Sequence, residues 1–124
     1  MNIHKGAQVY VEGIGYGTII KHIQEHHTSL VKIDSKRILL SSYKIMTQIP
    51  ITVKILTFTG QETKSFYVDL TLTVAQLLSK VVDSFKVKKS SPNLYFKGIQ
   101  LENDHISMKD LQVFPNAKFL AVSG

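Results

Sequence analysis

The chain has 124 residues, enough for one ordinary domain or two very small ones, and with 44% hydrophobic against 19% charged residues it has the composition of a folding chain. Fifteen Lys and Arg against nine Asp and Glu give a formal charge of +6 and favour acidic partners: nucleic acid, anionic membrane or acidic protein surfaces. With no cysteine there are no disulfides, no thiolate catalysis and no Cys-ligated zinc, and no apolar run reaches the roughly 18 residues of a membrane-spanning helix.

The opening Met1-Asn2-Ile3-His4-Lys5 lacks the charged-then-apolar order of a secretory signal, so an intracellular setting, cytoplasmic or nuclear, is expected. The positive excess is spread evenly. Residues 1–50 carry six basic and three acidic side chains and residues 51–124 carry nine and six, a net +3 in each part.

From Gln8 to Ile45 short β-type segments alternate with turn residues, without helical periodicity. Val9-Tyr10-Val11 is the first. The glycine-rich Glu12 to Gly17 follows as a turn, then strands over Thr18 to Ile23, Ser29 to Ile33 and Arg37 to Leu40, and a tight turn over Ser41 to Ile45 leading into a brief fifth. Strands this short bury their apolar side chains and lose their free edges by closing on themselves, which predicts a small all-β barrel. The opening KGAQVYVEGIGYGTIIKHI resembles the small barrels of the Tudor, KOW and Src-homology-3 group, in which a valine strand meets a glycine turn and a Gly-Thr-Ile strand.

Thr47-Gln48-Ile49-Pro50 is too short and too apolar for a flexible linker, and Pro50, which cannot donate to a ladder, is expected to stand just before a strand. The boundary therefore falls between residues 48 and 49. Ile51 to Leu56 alternates apolar and polar residues, and Ser65 to Val68 reads as its hairpin partner. Thr73 is placed as a helix N-cap with Gln76 as its capping-box partner, and Val74, Leu77, Leu78, Val81 and Val82 follow at helical spacing.

The next segment, LYFKGIQLEND from Leu94 to Asp104, resembles the ubiquitin-family stretch in which apolar strand residues precede a glycine turn and a short strand ending in Leu-Glu. Met108 to Val113 is similar to that family's short helical turn, and Lys118 to Val122 to its final strand. The resemblance implies an α+β chain: a C-terminal ubiquitin-like β-grasp domain over residues 49–124, preceded by the small all-β barrel over residues 1–48. By register it implies that the family's apolar protein-binding patch falls on Phe58, Tyr95, Leu120 and Val122. Conjugated relatives end in an extended diglycine tail; here Ser123-Gly124 directly follows the last strand, so covalent conjugation is not expected.

Three other constellations bear on function. Lys86, Lys88 and Lys89 form a basic cluster that could dock phosphates or an acidic protein face, with Lys97 as a further cation, against the plainer expectation of a solvated loop. Tyr10, Tyr16 and Tyr43 could form an aromatic cage for a methylated cation, against the plainer expectation that they pack in the barrel. His4, His22, His26, His27 and His105 invite a metal, but adjacent His26 and His27 in a polar turn point apart, and no metal or other cofactor is expected. No Ser/His/Asp grouping or carboxylate pair is spaced for catalysis. The expectation is a non-catalytic adaptor or subunit of a larger assembly that binds protein partners through its ubiquitin-like domain. The alternative is an RNA-binding protein that uses the basic barrel and the Lys-rich loop.

Overall fold

The structure is a computed structural model that describes residues 3–57, 60–85 and 92–123. The chain divides into two compact units, Met1–Ile49 and Pro50–Gly124.

The first unit is a five-stranded sheet in the order β4-β3-β2-β1-β5, built from β1 (Gln8–Val11), β2 (Gly15–Ile23), β3 (Thr28–Ile33), β4 (Lys36–Ser41) and β5 (Ile45–Met46). All its pairings are antiparallel. Period-two alternation sends Val9, Val11, Ile19, Val31, Ile33 and Ile45 to one buried cluster, against which Ile38 and Leu40 also pack. β2 starts at Gly15, three residues earlier than the sequence pattern suggested, because Gly17 is a strand residue and not a turn residue. A Cβ on Gly17 would lie 2.7 Å from Val31 Cγ1 and 2.9 Å from Ile33 Cγ1, so the missing side chain lets β2 and the core meet. Gly13 supplies the turn instead, with a φ of 78°.

The second unit is a five-stranded sheet in the order β7-β6-β10-β8-β9, with β6 (Gln48–Thr57), β7 (Gly60–Asp69), β8 (Asn93–Phe96), β9 (Ile99–Gln100) and β10 (Ala117–Val122). The first and last strands lie side by side and parallel, from Ala117 opposite Ile51 to Val122 opposite Leu56. β10 then pairs antiparallel with β8, and β8 with β9. Pro50 lies within β6 and not ahead of it. Its carbonyl still joins the sheet, accepting a hydrogen bond from the Asn116 amide at 2.7 Å.

The helix α1 (Val74–Phe85) begins as its capping box dictates: the Thr73 amide donates to Gln76 Oε1 at 2.9 Å and the Gln76 amide to Thr73 Oγ1 at 3.3 Å. It buries Val74, Leu77 and Val81, while Leu78 and Val82 are half-covered. At its far end Lys64 donates to the Ser84 carbonyl, and Phe66 meets Phe85 edge-on at 6.4 Å. Helix and even-numbered β7 residues therefore share one side of the sheet. Phe96 and Phe119, cross-strand partners, stack at 4.8 Å in that core.

Residues 108–112 form the expected short helical turn, closed by the Leu111 amide donating to the Ser107 carbonyl at 3.1 Å. Ser107 and Asp110 bond reciprocally through side chain and backbone, and the chain turns on Gln112 at a φ of 56°. The flanking Met108 and Val113 are fully buried, which is the anchoring role expected of that segment. Among the described residues no helix is long and apolar enough to cross a membrane.

Candidate functional site

Strand alternation decides what the helix-free face of the second sheet presents. In β6, Ile51, Val53 and Ile55 point into the core, so Thr52, Lys54 and Leu56 take the other face. In β10, Phe119 and Ala121 are buried, leaving Lys118, Leu120 and Val122 outside. In β8, Leu94 and Phe96 are buried and Tyr95 faces out between them. Register turns these positions into rows across the sheet. Lys54, Leu120 and Tyr95 are consecutive cross-strand neighbours, with Gln100 beyond them; Thr52 lies beside Lys118, and Leu56 beside Val122.

The result is a groove of about 690 Å³. Tyr95, Leu120 and Val122 give it an apolar floor, Lys54, Lys97 and Lys118 line it, and among the described residues no carboxylate does. Lys97 is held by the β8–β9 hairpin, whose two loop residues Lys97 and Gly98 have φ of 53° and 78°, the signs of a type I′ turn. Glycine or asparagine is the residue such a position favours. A lysine there carries a local conformational cost of about 1 kcal/mol, while its ammonium lies 5.3 Å over the Phe96 ring.

Of the residues expected to form the apolar patch, Tyr95, Leu120 and Val122 come together, whereas Phe58 lies outside the described residues. Lys86, Lys88 and Lys89 also lie outside them. Lys97, read from the sequence as an addition to that cluster, lines the groove. Lys54 and Lys118 were missed as site residues. Their signal was present in the alternation of β6 and β10, but only the parallel pairing of the two strands shows that they share a rim.

In the first unit Tyr10 and Tyr16 are cross-strand partners in an edge-to-face pair at 5.4 Å. They occupy the face opposite Val9 and Val11, not the packed cluster. Burial, with a contribution from Tyr10, pushes the Tyr16 phenol up to about 12. Tyr43 is 79% exposed on the turn Ser42–Lys44. It lines a different hollow of about 360 Å³ with Ile3, His22, Gln24, His27 and Ser42. Within that hollow His22 Nδ1 lies 2.8 Å from Ser29 Oγ, which satisfies a fully buried hydroxyl. His26 and His27 are exposed, His27 closing a 3₁₀ turn in the left-handed region. Among the described residues no group of three or more His, Asp or Glu side chains is placed to hold a metal ion.

No protein-family model matches this chain, and no curated protein does. Solved structures do. A ubiquitin from Caldiarchaeum subterraneum superposes with a TM-score of 0.56 at 22% identity, covering 62% of this chain and 94% of that one. A ubiquitin-like domain from Arabidopsis thaliana gives 0.53 at 22% identity, over 61% of this chain and 77% of the other. A structure described as molecular mimicry of SUMO that promotes DNA repair gives 0.53 at 14% identity, over 62% and 92%. The matched share has about the length of the second unit. The order β7-β6-β10-β8-β9 with its single helix is thus a ubiquitin-like β-grasp fold.

Proposed function

We propose that the second unit is a non-catalytic protein-binding module and that the chain serves as an adaptor or structural subunit of a larger assembly. The groove carries this reading: an apolar floor of Tyr95, Leu120 and Val122, lined by Lys54, Lys97 and Lys118 and, among the described residues, by no carboxylate. Fold likeness alone does not assign a role, so the argument rests on that chemistry. Tyrosine anchors beside a dry apolar floor are the features that concentrate binding energy in protein interfaces. The cationic rim selects a segment whose apolar side chains are flanked by Asp or Glu.

We read the first unit as a small barrel of the Tudor, KOW and Src-homology-3 kind. The return of β5 to β1 and its closely packed aliphatic cluster support this.

The test is direct titration of a partner recovered from the native cell. Tyr95→Ala and Leu120→Ala should each weaken the purified complex at least tenfold, about 1.4 kcal/mol. Lys54→Gln with Lys118→Gln should weaken it more at low salt than at high salt. A partner held with the same affinity by the Tyr95→Ala, Leu120→Ala double variant would sink the assignment.

A further inference from the structure

The helix-free groove leaves unexplained the outer face of the first sheet. Register places Gln8, Thr18, Lys32 and Arg37 in one row across β1 to β4. Lys21, Leu30 and Leu39 form the next row on one side, and Tyr10 and Tyr16 stand in the next on the other. Lys21, Lys32 and Arg37 are exposed and make no ion pair among the described residues, and Leu39 is 61% exposed. The unit's carboxylates, Glu12, Glu25 and Asp34, all sit in turns and none on this face.

Two features set this face apart from an ordinary solvated surface. Lys32 and Arg37 are direct cross-strand partners, an arrangement of like charges that opposes sheet pairing. A neutral or acidic residue at either position would relieve it, yet no acid lies near in the register. The cations are also close together: Lys32 and Arg37 are one strand spacing apart, about 5 Å, and Lys21 stands on neighbouring β2 one row on, about 8 Å from Lys32. Such a cluster suits a chain of closely spaced anions.

We propose that this face binds single-stranded nucleic acid, with Lys21, Lys32 and Arg37 contacting successive phosphates. Charge complementarity identifies the ligand class. Lys21, Lys32 and Arg37 are exposed strand residues on one face that carries no carboxylate among the described residues. A flexible polyanion can follow such a face, because phosphate contacts depend on charge and not on shape. The face belongs to the first unit and is independent of the protein-binding reading of the second.

The experiment is fluorescence anisotropy of a labelled twelve-nucleotide oligouridylate with the full chain from 20 to 200 mM salt. Three phosphate contacts predict a slope of about −2 in log affinity against log salt, a roughly 20-fold loss between 50 and 200 mM. Lys32→Gln with Arg37→Gln should cut that slope by about 1.4, while Lys54→Gln with Lys118→Gln should leave it unchanged. Amide shifts of the wild-type chain on adding oligouridylate should concentrate in β2 to β4, a reading that needs no variant to fold. The proposal is overturned by absence of binding at 20 mM salt, by shifts confined to the second unit, or by an unchanged slope in the Lys32/Arg37 variant. Equal competition by poly-L-glutamate of matched charge would overturn it as well, and would assign the face to an acidic protein.

Discussion

The two sheets have five strands each and solve the same problem differently. In the first, neighbours in the sheet are mostly neighbours in the chain, and the apolar residues of five short strands supply the cluster between them. In the second, strands from opposite ends of the unit lie parallel at the centre, and a helix covers one face. The difference teaches where each unit is sensitive. The first depends on close approach of backbone to side chain, the second on a capped helix filling a sheet.

The comparison can be broken by substitutions that separate these dependences. The largest effect is expected from Leu77→Ala, which removes a fully buried side chain from α1 and should cost about 3 kcal/mol. Hydrogen exchange should show the loss in β6 to β10; an equal loss of protection in β1 to β4 would show that the units do not respond separately. Gly17→Ala is the counterpart in the first unit. Its Cβ would meet Val31, Ile33 and the Lys32 carbonyl at 3.0 Å or less, so a loss of about 2 kcal/mol in chemical denaturation is expected. Little change would mean that β2 and β3 separate easily there.

A smaller effect of opposite sign sharpens the contrast between stability and binding. Lys97→Gly relieves the left-handed lysine and should stabilise the second unit by about 0.5 kcal/mol, while weakening capture of an acidic segment by the groove. Stabilisation without loss of affinity would remove Lys97 from the rim. The smallest effect concerns pH. Because the folded Tyr16 phenol titrates near 12 and an unfolded one near 10, the unfolded state gives up its proton first as pH rises. The contribution is thus fully present below pH 10 and is lost between 10 and 12. Tyr16→Phe should flatten the alkaline decline in stability measured over that window.

Much of the second unit was legible because its signals are local. The capping pair Thr73 and Gln76, the Lys97-Gly98 turn and the spacing of Val74, Leu77 and Val81 are each set within a few residues. The strands of the first unit were legible for the same reason, through alternation and turn residues. Gly17 was misread as a turn because a glycine's sequence does not say whether it supplies a positive φ or a space. Only the packing of Val31 and Ile33 against its Cα distinguishes the two.

The sequence by itself determined which side chains could face a core, since period-two and helical spacing follow from backbone geometry alone. It also determined the ubiquitin-like order of elements and, from that order, the placement of Tyr95, Leu120 and Val122. Tertiary structure alone decided which charges gather around them. Lys54 and Lys118 lie 64 positions apart and become rim neighbours through the parallel pairing of β6 with β10, and Lys32 faces Arg37 through the register of one hairpin. Long-range pairing is invisible to local pattern, because strand register is fixed by the packing of the opposite, buried face.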